Sequence, residues 1–176
     1  MTDWPKILSE HGGIVWKTVR RLIDDDVDAG DCFQETFVAA LQFSRKHTVR
    51  NWPGLLKRLA TVRALDQLRK QMRNSTVQLS VDGADEVPCQ RTSPSAMAEQ
   101  NELLDQLRST LAAMPPDQAE VCCLRFLENL SYEQIAEELG LTVNHVGVLL
   151  HRAKSLLQIR LAAFAPVTHY QAESKT

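Results

Sequence analysis

From Ile7 to Ile23 the apolar positions Leu8, Val15, Val19 and Leu22 recur at helical spacing, and Pro5 suits the first turn of such a helix. The acidic run Asp24–Asp26 reads as a turn. Asp28 is the expected cap of a second helix carrying Phe33, Phe37, Ala40 and Leu41 on one face. A basic connector, Arg45 to Asn51, leads into a third helix expected from about Pro53 to Arg73, with Leu55, Leu59, Val62, Leu65, Leu68 and Met72 as its apolar stripe. Between Asn74 and Ala98 the periodicity stops. Gly83, Pro88, Pro94 and small polar residues replace it, which reads as a linker with a short strand-like piece at Val77 to Val81. Periodicity returns at Leu103, Leu104, Leu107 and Leu111. Pro115-Pro116 breaks it, and helices are expected over Asp117–Leu127, over Tyr132–Leu139 ahead of Gly140, and from Thr142 to about Ala163.

A linker of that length is unusual inside one compact domain. The fold class predicted is therefore all-α: two small helical domains joined by a flexible linker. Residues 1–74 form the first domain, 75–98 the linker, 99–165 the second domain and 166–176 a frayed tail. The chain of 176 residues is 44% hydrophobic, enough for real cores, with only seven Gly and seven Pro. No apolar run approaches the ~18 residues of a membrane span, and Met1 to Glu10 lacks a secretory pattern, so a cytoplasmic protein is expected. Cys32, Cys89, Cys122 and Cys123 lack zinc-site spacing and read as reduced, idle thiols, with redox sensing as the alternative.

Net charge is only −2, but its distribution is uneven. Six acids and no Lys or Arg lie between Asp24 and Glu35, and nine basic residues face the single acid Asp66 between Arg45 and Arg73. Acids dominate again from Glu99 to Glu138, and from Asn144 to Arg160 every charged residue is basic. Such alternation suits a protein that touches both nucleic acid and a basic protein surface.

The stretch Ser131 to Leu157 carries a helix-turn-helix signature. Ser131 and Gln134 have capping-box spacing. Ala136 is small where a second helix crosses, Gly140 suits a turn at positive φ, and Val146 packs back into the angle between the helices. Ile135, Leu139, Leu141, Leu150 and Ala153 supply the apolar seam. The second helix of this motif enters the major groove. Its expected exposed residues are Asn144, His145, Val148, His151, Arg152 and Lys154, with Asn144 suited to a base edge and Arg152 and Lys154 to phosphates. A plain helical hairpin with a solvated face is the alternative.

Pro115-Pro116-Asp117-Gln118, Leu124-Arg125-Phe126, Leu130 to Ala136 and the continuation through His151-Arg152-Ala153-Lys154 together resemble region 4 of an extracytoplasmic-function sigma factor. Asp28 to Phe37 resembles that family's region 2 polymerase-docking motif, and Ala64-Leu65-Asp66-Gln67-Leu68-Arg69 resembles the helix that meets the minus-10 promoter element. The resemblance implies that Asp28, Asp31, Gln34, Glu35 and Gln42 face core RNA polymerase. It also implies DNA contacts from Arg50, Trp52, Arg58, Arg63, Asp66, Arg69, Lys70 and Arg73, while the helix-turn-helix reads the minus-35 element as duplex. Opening a promoter requires captured single-stranded bases, and the connector Ser44 to Trp52 is the candidate surface. Trp52 is its obvious aromatic, though a tryptophan at a helix start equally suits a core anchor.

Three departures stand out: Leu55 where the family usually has a tryptophan, Val62 where an asparagine is common, and Gly147-Val148-Leu149 where Lys-Ser-Arg is frequent. An anti-sigma factor is a further partner the resemblance implies. No Gly-rich phosphate loop, metal-ligand cluster or nucleophile with its base is legible, and His11, His47, His145, His151 and His169 are scattered. A non-enzyme without metal or cofactor is expected. Two rivals remain open: a polymerase-independent helix-turn-helix DNA-binding regulator, and a protein-binding helical adaptor of sigma regulation.

Overall fold

The computed structural model describes residues 3–81 and 96–164. Among these the regular structure is entirely helical: α1 (Trp4–Leu22), α2 (Asp26–Lys46), α3 (Trp52–Val81), α4 (Ala96–Ala113), α5 (Pro116–Phe126), α6 (Tyr132–Leu139), α7 (Val143–Arg160) and a 3-10 turn, Ala162–Phe164. The all-α class is the one the chain adopts. Residues 82–95 and 165–176, which hold Cys89, most of the expected linker and the tail, lie outside the described residues.

Local chemistry sets the helix ends. The Asp3 carboxylate accepts the Lys6 N–H at 3.2 Å, and Pro5 sits in the first turn of α1, where its missing N–H is no loss. The cap of α2 is Asp25 rather than Asp28. Its carboxylate accepts the N–H groups of both Val27 and Asp28 at 2.9 Å, leaving Asp28 within the first turn of the helix. Asn51 starts α3 by accepting the Gly54 N–H at 3.0 Å. The strand-like piece expected at Val77 to Val81 is instead the end of α3, eight residues beyond Asn74's neighbour Arg73. Once nucleated, a helix gains one hydrogen bond per added residue, and neither Gly nor Pro interrupts the chain between Arg73 and Gly83.

The buried stripes differ in detail from those the periodicity suggests. In α2 the buried residues are Ala29, Cys32, Thr36 and Ala40, with Phe33 and Phe37 half-buried at the flank. In α3 they include Leu55, Leu56, Ala60, Ala64, Leu65 and Leu68, whereas Met72 is exposed. Helix α3 packs against α1, α2, α4, α5 and α6, so it is covered on several sides and a single stripe cannot describe it. Ala60 and Ala64 keep it thin where neighbours cross. Leu56 and Leu65, fully buried, each contribute roughly 1.5–3 kcal/mol of apolar burial.

One core cluster crosses the chain from end to end. Val15, Val19, Leu56 and Leu65 of the first half join Leu111, Met114, Cys122, Cys123 and Ala153 of the second. A separate cluster of Val121, Leu124, Ile135, Ala136, Val146, Leu149 and Leu150 belongs to α5–α7 alone.

Candidate nucleic-acid interface and docking face

Helices α6 and α7 form the helix-turn-helix. Ser131 Oγ accepts the Gln134 N–H at 3.2 Å while Gln134 Oε1 accepts the Ser131 N–H at 2.8 Å, completing the expected capping box. Gly140 closes α6 at φ 65°, a left-handed conformation in which a Cβ is strained. Thr142 caps α7, its hydroxyl accepting the His145 N–H at 3.2 Å. Ala136 and Val146 are buried in one cluster with Ile135 and Leu150, whereas Ala153, also buried, faces the core shared with the first half. These contacts fix α7 so that Asn144, His145, Val148, His151, Arg152 and Lys154 are all exposed. The face combines one amide, one apolar side chain and two fixed cations. Amides pair with adenine, branched apolar groups meet thymine methyls and cations meet phosphates. Gly147 lies under the Tyr132 ring, over which the Arg125 guanidinium sits at 5.5 Å.

On α2, Asp31, Gln34, Glu35 and Gln42 are exposed together with Val38. They border a cavity of about 500 Å³ that Arg63 and Lys70 of α3 close on the other side. Asp28 does not join this face: it is half-buried and accepts from Gln71 Nε2 at 2.7 Å.

The basic residues of α3 diverge. Arg63, Asp66, Arg69, Lys70 and Arg73 line a cavity of about 320 Å³ against Asp31 and Glu35 of α2. Within it Arg69 pairs with Asp66 at 3.1 Å and Arg63 stands 4.0 Å from Glu35. Arg58 points elsewhere, into the second half: its Nε donates to Glu120 Oε1 at 3.0 Å and its Nη1 to the Glu138 carbonyl at 2.8 Å. Periodicity put Arg58 among free basic residues because its partners lie 62 and 80 positions away.

The connector between α2 and α3 encloses about 350 Å³ lined by Ser44 to Val49 and Trp52. Trp52 is half-buried, its ring edge-on to Trp4 at 5.5 Å, so it both anchors the core and borders this hollow. Arg50 is exposed beside it. Phe43 and His47, whose rings lie 4.6 Å apart, and Asn51 also belong to this region. Sequence reasoning passed over Phe43, and its four-residue spacing from His47, which caps the end of α2, was the available signal.

The described thiols are buried, Cys32 beneath the cavity between α2 and α3. Burial pushes Cys32 and Cys122 up to about 11 and Cys123 higher still, so each is protonated and poorly nucleophilic near neutral pH. Among the described residues no helix is long and apolar enough to cross a membrane.

Known proteins align with both halves. The family model described as sigma-70 region 2 matches residues 7–74, and that described as sigma-70, region 4 matches residues 104–157. An ECF RNA polymerase sigma factor, SigE of Mycolicibacterium smegmatis, is 29% identical over 96% of this chain, which spans 65% of that protein's length. The RNA polymerase sigma-E factor of Streptomyces coelicolor is 32% identical over 84% of this chain and 79% of its own. Among solved structures, the sigma factor RpoE of Bartonella quintana in complex with the anti-sigma factor NepR shares the fold at a TM-score of 0.54 and 20% identity. That match covers 94% of this chain and 100% of that one. CnrH in complex with the cytosolic domain of CnrY shares it at 0.57 and 23% identity, over 92% and 88% of the two chains.

Proposed function

The chain belongs to the sigma-70 family as an RNA polymerase sigma factor of the extracytoplasmic-function type, and we propose on that premise that it directs core RNA polymerase to specific promoters. The first half docks on polymerase through Asp31, Gln34, Glu35 and Gln42 and opens the minus-10 element. The connector hollow beside Trp52 receives an unstacked base, and Arg63, Arg69, Lys70 and Arg73 follow the DNA backbone. The second half reads the minus-35 element as duplex through α7. Such a protein performs no catalysis of its own and needs no cofactor. An anti-sigma protein is its natural regulator, as NepR accompanies RpoE.

One observation carries most weight: two unlike surfaces on one short chain, an exposed acidic–amide face on α2 and a capped helix-turn-helix with an amide at its tip. A regulator acting without polymerase needs only the second. Titrating labelled protein with core polymerase tests the docking role. Binding that D31K/E35K weakens about ten-fold or more supports it, since reversing charge turns attraction into repulsion at a desolvated contact. Unchanged binding by that variant contradicts it.

A further inference from the structure

The cavities of about 320 and 500 Å³ between α2 and α3 adjoin, sharing Asp31, Glu35, Arg63 and Lys70 in their walls. In the smaller one the cations Arg63, Arg69, Lys70 and Arg73 face the carboxylates of Asp31, Glu35 and Asp66, so positive charge is in excess. These groups do not fully satisfy one another. Arg69 gives Nη1 to Asp66 at 3.1 Å, and Arg63 Nε stands 4.0 Å from Glu35, beyond hydrogen-bond reach. Arg63 Nε and Arg69 Nη2, both buried, meet no hydrogen-bond acceptor among the described residues. Leaving a buried guanidinium donor without an acceptor is costly, and native folds seldom keep such groups without a use for them. The larger cavity differs in character: Val38 and Ala39 give it apolar surface, flanked by the amides of Gln34 and Gln42.

We propose that the two cavities together form a binding site for a ribonucleoside diphosphate. The diphosphate enters the smaller cavity. There Arg63 and Arg69 turn their unmet N–H groups onto its oxygens, a charge-assisted pairing to which guanidinium geometry is suited, and Lys70 and Arg73 balance the remaining charge. The ribose hydroxyls donate to Asp31 and Glu35, whose ionised carboxylates act only as acceptors. The base rests on Val38 in the larger cavity, where Gln34 and Gln42 reach its edge; side-chain amides match adenine well.

Size and charge pattern both favour such a ligand. Each cavity falls within the ~300–1,000 Å³ usual for small-molecule sites. DNA phosphates passing along α3 use the same cations, but deoxyribose within a strand has no free hydroxyl to offer Asp31 and Glu35. A ribonucleotide meets charges of both signs. Asp31, Gln34, Glu35 and Gln42 are also the residues assigned to polymerase, so ligand and polymerase exclude one another on this face. Only that consequence rests on the sigma-factor reading above.

Isothermal titration of the full chain tests the site, with ADP, 2′,3′-dideoxy-ADP and inorganic pyrophosphate as probes and EDTA present so that no divalent ion masks the phosphates. ADP is expected to bind about ten-fold more tightly than either of the others. K70Q/R73Q alters two exposed side chains at the rim, so it folds, and it is expected to weaken all three probes about ten-fold, with R63Q/R69Q losing more. K6Q/K17Q removes equal charge from exposed positions of α1 and is expected to bind as wild type does. D31A/E35A is expected to erase the advantage of ADP over its dideoxy analogue while binding pyrophosphate at least as tightly. The absence of saturable ADP binding overturns the proposal, as do equal losses from K70Q/R73Q and K6Q/K17Q, or ADP binding no tighter than its dideoxy analogue or pyrophosphate. With ADP at about ten times its Kd, labelled protein should bind core polymerase about eleven-fold more weakly. Core binding indifferent to bound ADP overturns the shared face, and a chain that binds ADP but never core polymerase overturns the sigma reading instead.

Discussion

Replacing Glu128 by glutamine probes the contact between the two halves with little change of shape. The Glu128 side chain is 3% exposed and accepts short hydrogen bonds from Thr18 and Arg21, with Lys57 beyond. A hydrogen bond to a buried charge is worth about 1.5–3 kcal/mol. Arg21 and Lys57 are 37% and 23% exposed, so solvent screens much of their share. Glutamine keeps a carbonyl at the Oε1 position that Thr18 and Arg21 share, but it loses the charge and puts an NH₂ at the Oε2 position that Lys57 approaches. The net loss expected is about 2 kcal/mol, less than the ~3–5 kcal/mol of stranding a buried charge, because the substitute is neutral. At about 2–4 °C per kcal/mol for a chain of this size, Tm falls by about 4–8 °C. Urea unfolding of wild type, T18V, E128Q and the double variant gives the coupling between the two sites, expected near ~1 kcal/mol. Additivity within about 0.3 kcal/mol, or a loss from E128Q below about 0.5 kcal/mol, refutes a structural contact between the halves.

Four further outcomes follow from local geometry. S131A removes a capping-box acceptor and is expected to lower stability by about 1 kcal/mol, while G140A, forced to positive φ, loses a similar amount; both weaken duplex binding by the second half, measured by fluorescence anisotropy. Asp24 is held below its ordinary pKa of 3.8 chiefly by its hydrogen bond from Arg108, which outweighs the opposing effect of burial, with the charges of Arg108 and Arg20 adding to it. Its stabilisation is therefore present above about pH 4 and lost as pH falls through the lowered value, a limb that D24N should remove from the pH–stability curve. Glu138 is raised by burial, a shift only partly relieved by Asn51 and Arg58, so its contribution runs the other way, fading as pH rises above its ordinary 4.5, and E138Q flattens that limb. In a C32S/C89S variant, thiol reagent at neutral pH should modify Cys122 and Cys123 only at the rate of unfolding; a fast phase would contradict their burial.

What the sequence made legible follows from the range of the forces involved. The cap at Ser131, the stop at Gly140 and the start at Thr142 depend on side chains bonding within three or four residues, and each lies where the local pattern put it. The choice between Asp25 and Asp28 as cap turned on one residue's extended backbone, which neighbouring acids of the same chemistry do not reveal. Helix α3 ran past the expected linker boundary because nothing after Arg73 stops it before Gly83, whereas weak propensity at Ser75 and Thr76 looked like an end. On α2, Asp31, Gln34, Glu35 and Gln42 are exposed together, as helical spacing allows, while Asp28 is diverted by Gln71 on another helix. Glu120, Glu128 and Glu138 gave no signal at all. Each looks like a surface acid, and its partner stands 62 to 110 positions away in the chain.

Reconstituted run-off transcription tests the central claim most directly: core RNA polymerase from the source organism, genomic DNA template, with and without this protein. The account predicts new, discrete start sites that appear only with the protein and disappear with D31K/E35K. Start sites unchanged by the protein, in a preparation free of any bound inhibitor, would contradict it and leave a helix-turn-helix regulator as the better description.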